Sequence, residues 1–559
     1  MTDSASTVFT TENTASRPAA PFPLRAVLLA ALIPALLGSI CALIAPPLIS
    51  SDTTYGLIAW FNYLNGGTWN SIASLDTSNI AQSIETPVTW WPPGQYLVLG
   101  ALHQIGIPLG IGVTLVSALS VLSLGLGMAK LAHLLGARGP VIPLISLATT
   151  FTYHSLSIFT AFIGGEALLI AIWPWTCIGA WKLRRNYPIL AVTLPIFFLL
   201  GSYTKHSFAI CSLSIQVFLL AEAIRDTLRS KKASPNRDRH LLYTSLALFS
   251  GGSLYILGRW LIIPSGPSPA DLGFNPREPL VAWGFSFLAP ILQLLGLEPI
   301  IGFISFHIYQ RPTSSEIYTR LGPLLTLLSI FSLGMYTWFC CQKDIIGRIS
   351  GYITIIYCTI MGILLQGGGS IDLGGRFYHP TAVLITLFLC HRCFSPEKTW
   401  RLISRLALIF SMAVGASLLF YRISVINSPS SHYYRSSERL SIVYASPTLQ
   451  EELIKLAKIP GSVIFTGNPW LDLAVMINAP RSTRFFGSAP SGTFAASQSR
   501  CGRVPNLVLA LPPDLTEGGM QEAFRRSFVN YHEDEWTLTS IDGWQIWQAG
   551  DATSTKEDL

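Results

Sequence analysis

Residues Ala26–Ala45 read AVLLAALIPALLGSICALIA, twenty uncharged and mostly apolar residues directly behind Arg25. A helix rising about 1.5 Å per residue over such a run reaches across a hydrocarbon core of about 30 Å, so the stretch predicts a first membrane-spanning helix. A cleaved signal peptide is the alternative, because Gly38–Ala45 is rich in small residues; the long polar leader over residues 1–23 speaks against it.

The composition extends this reading to the whole chain. Of 559 residues, 50% are hydrophobic and 12% charged, against about 25% charged in an average soluble protein. The mean hydropathy is +0.46. Soluble multidomain, disordered, collagenous and disulfide-scaffold classes are excluded. The net charge of +7 rests on 37 Lys and Arg, which in a polytopic chain belong to cytoplasmic loops and not to a nucleic-acid patch. Cys501 stands alone in the polar C-terminal region, which therefore holds no internal disulfide, and Cys390 and Cys393 at a helix end do not read as a redox pair.

Basic residues set the expected sidedness. Lys130 with Arg138, Lys182 with Arg184 and Arg185, the run Arg225–Arg239, Lys343 with Arg348, and Arg392–Arg405 mark the cytoplasmic face. No Lys or Arg lies between Arg25 and Lys130, so the first loop, 49–107, is expected outside; within it Gly94–Ile105 is apolar but too short to cross and reads as an interfacial helix. Further spans are predicted at 108–129, 140–160, 166–181, 188–204, 207–223, 241–263, 322–340, 349–366, 379–391 and 403–421. The expected fold is mainly α and polytopic, with about eleven crossings, or about thirteen if Leu280–Tyr309 adds a hairpin. The transmembrane part is 24–426. From Asn427 polar residues, Pro and Gly return, and 427–559 is expected to form an extracytoplasmic α/β domain. Its predicted strands are Leu440–Ala445 and Ser462–Thr466, with Asn506–Leu511 and Trp536–Gln548 adding further strand; its predicted helices are Thr448–Lys458 and Trp470–Ile477. It carries no phosphate loop, metal-ligand spacing or nucleophile elbow, and reads as a lid or structural module.

Ionisable groups near membrane depth are costly and draw attention for that reason. Asp52 follows the first helix in Ser51-Asp52-Thr53-Thr54-Tyr55, where it reads equally as a helix cap or as a functional acid. Glu166, in Gly164-Gly165-Glu166, is the first charge after Arg138. Lys205 is the sole Lys or Arg between Arg185 and Arg225 and sits on the face where the positive-inside rule disfavours it; a snorkelling lysine and an anion-binding one are both open. Arg376, in Gly374-Gly375-Arg376-Phe377-Tyr378-His379-Pro380, repeats the pattern with glycines that let backbone approach a ligand. Two carboxylates and two cations on one face suggest a site that handles phosphate and activates a hydroxyl.

Over roughly residues 25–395 the chain resembles the GT-C class of polyprenyl-phosphate-sugar-dependent glycosyltransferases, particularly the protein O-mannosyltransferase and lipid A aminoarabinose transferase branch. The residues that carry the resemblance are Asp52–Asn70, Thr89-Trp90-Trp91-Pro92-Pro93-Gly94-Gln95-Tyr96, Glu166, Thr204-Lys205, and Arg376-Phe377 with Pro380. The branch often has Asp-Glu where this chain has Asp52-Thr53, and its soluble C-terminal regions vary.

The resemblance implies an enzyme of the plasma membrane, the inner membrane in bacteria, that takes a polyprenyl-phosphate-linked sugar on the extracytoplasmic side. The sugar would pass with inversion to a lipid, glycan or protein hydroxyl. Asp52 would be the base, Lys205 and Arg376 would hold the donor phosphate, and Glu166 would be a second catalytic residue whose role, orienting the acceptor or the donor, stays open. Tyr55, Trp90, Trp91, His206 and Tyr378 are the expected substrate or interface contacts. No cofactor is required; a divalent metal is possible but not indicated. The competing readings are a transporter or flippase for a lipid-linked glycan, which would show paired halves that this sequence lacks, and a non-catalytic subunit in envelope assembly.

Overall fold

The computed structural model describes residues 21–88, 92–184, 186–229, 245, 278–301, 321–367, 374–428, 432–466, 468–478, 484–485, 499–512 and 520–550. The predicted span at 241–263 apart from residue 245, the end of the 280–309 hairpin, Trp90 and Trp91 lie outside the described residues. Among the described residues, six helices are long and apolar enough to cross a membrane. They are α1 (Leu24–Ile44), α4 (Leu109–Leu134), the Phe208–Arg225 part of α9 (Phe208–Arg229), α11 (Gly322–Cys340), α12 (Ile345–Gln366) and α14 (Lys398–Ile426).

Five further helices pack among them: α5 (Val141–Thr150), α7 (Gly164–Leu183), α8 (Tyr187–Thr204), α10 (Pro279–Leu295) and α13 (His379–Arg392). The helix α10 falls within the segment read as an optional hairpin.

Because lipid tails are as apolar as leucine, helices in a bilayer need ties other than the hydrophobic effect. Serine hydroxyls supply several here. Ser146 of α5 donates to the Val27 carbonyl of α1 at 3.2 Å, Ser123 of α4 to Ala171 of α7 at 2.8 Å, and Ser350 of α12 to Leu384 of α13 at 2.8 Å. Ser286 of α10 donates to Cys358 of α12, and Ser411 of α14 to Leu294 of α10, both at 2.5 Å. Each such bond contributes about 0.6–2 kcal/mol.

The span expected at 140–160 is not one helix. It stops at Thr150 and restarts as α6 (Tyr153–Ser157). Thr149 and Thr150 turn their hydroxyls back onto Ile145 and Ser146 at 2.7 Å each, and Thr152 caps the new helix by accepting from Ser155 N at 3.4 Å. Local hydroxyl bonding competes with helix continuation in this way, and hydropathy does not register it.

After α1 the chain forms the two-residue strand β1 (Leu48–Ile49), the helix α2 (Ser51–Leu64), a hairpin of β2 (Ser71–Leu75) and β3 (Ser83–Pro87), and α3 (Gly94–Gln104). The strand β1 pairs in parallel with β4 (Ala161–Phe162), which leads into α7.

Beyond α14 lie β5 (Tyr433–Arg435), β6 (Ser441–Val443), α15 (Pro447–Ala457), β7 (Ser462–Phe465), α16 (Pro469–Asn478), β8 (Arg484–Phe485), β9 (Asn506–Leu511), α17 (Met520–Arg526), β10 (Thr537–Ile541) and β11 (Trp544–Ala549). They build a five-stranded sheet in the order β10-β11-β9-β7-β8, parallel on the β9-β7-β8 side and antiparallel on the other. Every residue of β7 and β9 is buried, as continuous apolar strands covered on both faces must be.

This C-terminal unit is fastened to the first loop. Ile80, from the β2–β3 connection, is fully buried in the sheet's own core, and its N–H donates to Cys501 O at 2.8 Å. Glu438 accepts from Leu109 N through its side chain at 3.0 Å and from Gly110 N through its carbonyl at 2.9 Å, and faces His103 at 3.5 Å.

Candidate active site

Four helix N-termini and one C-terminus meet at the end of the bundle that carries the sheet. Gly164 N, opening α7, donates to Thr53 Oγ1 of α2 at 3.0 Å. A side chain at Gly164 would meet the Gln95 carbonyl of α3 at 2.5 Å, and one at Gly94 would meet the Tyr203 carbonyl of α8 at 2.6 Å. Only glycine permits these approaches. Trp173 of α7 donates to Pro380 O of α13 at 3.2 Å, which brings α13 alongside.

The four charged residues singled out in the sequence come together here. Glu166 stands in the first turn of α7, 3% exposed, and its carboxylate pairs with the Lys205 ammonium. Lys205 has left helix α8 in an extended conformation, φ −159° and ψ 131°, which turns it across to α7. Arg376, in a 3₁₀ turn over Gly375–Tyr378, brings Nε to 3.9 Å from the same carboxylate oxygen. One aromatic ring serves both cations: Lys205 Nζ and Arg376 Cζ each lie 5.0 Å from the Phe377 centroid. Burying Glu166 without such partners would cost several kcal/mol, roughly the desolvation of a lone carboxylate.

Asp52 is half-buried in the first turn of α2, within electrostatic reach of Lys205. It is not the helix cap. Ser50 holds that position, its Oγ accepting from Thr53 N at 3.3 Å. The capping alternative for Asp52 is thereby corrected: a serine two residues earlier already satisfies the amide that the cap exists to satisfy. Glu166 is not a cap either, since the N-cap of α7 is Ile163 and Glu166 is committed to cations.

Of the remaining expected contacts, Tyr55 lies half-buried one turn along α2 and His206 half-buried beside Lys205. Tyr378 departs from expectation. It is fully buried, its ring packs edge-on against Phe285, and its hydroxyl donates to Ser286 at 3.1 Å, so it is a packing residue. The 3₁₀ turn sends consecutive side chains of Arg376-Phe377-Tyr378 in different directions, which a linear motif cannot convey.

No family model matches this chain, and no curated protein matches it. Among solved structures it is similar to the crystal structure of ArnT from Cupriavidus metallidurans bound to undecaprenyl phosphate. The two are 13% identical, the similarity covers 94% of this chain and 98% of that one, and the TM-score is 0.42.

The structure adds groups that the sequence reading leaves out. His154 of α6 and His379 of α13 are buried with ring centroids 4.6 Å apart, and the Nε2 of each has no hydrogen-bond partner among the described residues. Lys205 and Arg376 act electrostatically on His154, and Glu166 on His379, so the pair borders the charged cluster. Gln95 is buried with its Nε2 unsatisfied, its Oε1 3.4 Å from where a side chain at Gly165 would begin. A lone His or Gln in an apolar run carries little signal, because neutral polar residues are also ordinary core residues. Among the described residues, no group of three or more His, Cys, Asp and Glu side chains is placed to hold a metal ion.

Proposed function

We propose that this chain is an integral-membrane glycosyltransferase that moves a sugar from a polyprenyl-phosphate donor to an acceptor hydroxyl by inverting displacement. The reaction takes place on the extracytoplasmic face. The observation that carries the reading is the convergence of Asp52, Glu166, Lys205 and Arg376, from four separate elements, at one end of an apolar helix bundle.

Each group has a task in that reaction. Asp52 accepts the hydroxyl proton as the acceptor oxygen attacks the anomeric carbon. The bond from that carbon to the phosphate oxygen breaks, and the charge that grows on the departing lipid phosphate is met by Lys205 and Arg376. The helix N-termini gathered there add positive potential of the same sense. Glu166 holds both cations in register and leaves them together able to receive an anion.

The deciding experiment uses purified protein and a polyprenyl-phosphate-linked sugar. Asp52→Asn retains donor binding and loses about 10²–10⁴ in transfer rate, the usual contribution of a general base. Transfer at the wild-type rate overturns the base. Movement of the intact lipid between leaflets, with no glycosidic cleavage by the wild type, makes the protein a transporter instead.

A further inference from the structure

The strand β1 is two residues long and carries two functional ends on its flanks. On one edge, Leu48 N donates to Thr160 O at 2.9 Å and Ser50 N to Phe162 O at 2.8 Å, so β1 is zipped to β4. Asp52 lies three residues beyond the end of β1 and Glu166 four beyond the end of β4, each in the first turn of the helix that follows. A paired unit this short is marginal by itself. Alternation along a strand turns the carbonyls of Pro47 and Ile49 to the opposite edge, and there the C-terminal unit meets them. Ser441 N of β6 donates to Pro47 O at 2.9 Å, Ser441 Oγ to Pro46 O at 2.5 Å, and the Trp470 indole N–H to Ile49 O at 2.6 Å. Trp470 opens α16, which packs on α2.

We infer that the C-terminal unit is part of the site's framework, and that Trp470 is a positioning residue that sets Asp52 relative to Glu166 by closing the free edge of β1. The chain of contacts runs from Trp470 to Ile49, across β1 to Phe162, and from there to the first turns of α2 and α7. Thr53 Oγ1 and Gly164 N close the loop on the site side. In this arrangement the unit does not act as a detachable lid. A shift of about 1 Å in a reacting group costs on the order of 10²-fold in rate, so one indole hydrogen bond at the base of the two carboxylates is well placed to control turnover.

The inference rests on the proposed transferase activity for its kinetic arm, and its structural arm stands without it. Trp470→Phe in the full chain keeps the ring and removes the donor. Amide exchange at residues 48–53 and 161–166 should become faster with the melting temperature unchanged. Transfer should fall about 10-fold to 100-fold in kcat with KM for the donor unchanged. The loss should disappear when Trp470→Phe is added to Asp52→Asn, since effects that act through one group do not add.

Unchanged exchange in both segments overturns the tether. Faster exchange with unaltered kcat, or a loss that adds fully to that of Asp52→Asn, overturns the positioning role. Should Trp470→Phe fail to fold, Thr53→Val breaks the same link from its far side and is expected to give the same kinetic split; wild-type kcat in that variant overturns the link. A wild type that transfers no sugar refutes the proposed activity, while the exchange result still decides the tether.

Discussion

Glu166 and Lys205, 39 residues apart, form an ion pair in which the carboxylate is 3% and the lysine side chain 13% exposed. A pair so placed is held by its geometry, and either partner alone is a liability, because removing one leaves an uncompensated buried charge. Glu166→Gln is therefore expected to lower stability by about 3–5 kcal/mol. Adding Lys205→Met should recover most of that loss without restoring transfer. Thermal unfolding in detergent, run beside a transfer assay, checks both; a stable and fully active Glu166→Gln contradicts the assignment.

Cap and proposed base are separable in α2 because they are different residues. Ser50→Ala removes the oxygen that accepts from Thr53 N and should cost about 0.5–2 kcal/mol of stability. Asp52→Asn should leave the melting temperature near that of the wild type and remove turnover. If Asp52→Asn melts early and Ser50→Ala does not, the roles are reversed.

Two native cysteines report on the sidedness. Cys341, between α11 and α12, and Cys501, in the C-terminal unit, are both exposed. The distribution of Lys and Arg predicts that they lie on opposite faces. In variants that keep one of the two and lack the other cysteines, an impermeant thiol reagent should label Cys501 on intact cells and Cys341 only after lysis. The reverse pattern inverts the topology.

Asp472 gives the C-terminal unit a pH dependence of defined sign. Burial pushes its carboxyl up to about 8, although the Thr466 hydroxyl donates to Oδ1 at 2.6 Å and pulls the other way. The folded state then holds a proton that the unfolded state releases near pH 4, so stability falls as pH rises through the window from about 4 to about 8. Asp472→Asn removes the titration and should flatten the profile, with its largest gain on the alkaline side. Melting temperatures measured across that window decide it; a wild-type profile that rises with pH refutes the buried acid.

Much of this architecture is legible along the chain because it is encoded locally. The run Ala26–Ala45 dictates α1 by hydropathy, Gly94–Ile105 is too short to span and forms α3, and the unbroken apolar segment Asn506–Leu511 becomes β9 with the same bounds. Four candidate site residues are visible for a related reason: Asp52, Glu166, Lys205 and Arg376 are charges in surroundings that penalise charge, and the penalty reads out in sequence.

What only the tertiary structure decides is pairing. The sequence holds no mark that Glu166 takes both cations, that Ser50 frees Asp52 from capping, or that Tyr378 turns inward while Arg376 does not. Nor does it show that Trp470 reaches Ile49 across 421 residues. Hydropathy and periodicity report what one residue asks of its own environment, over a turn or two of chain. Which neighbour meets the demand depends on how helices and strands distant in sequence are packed together, and that is a property of the folded molecule.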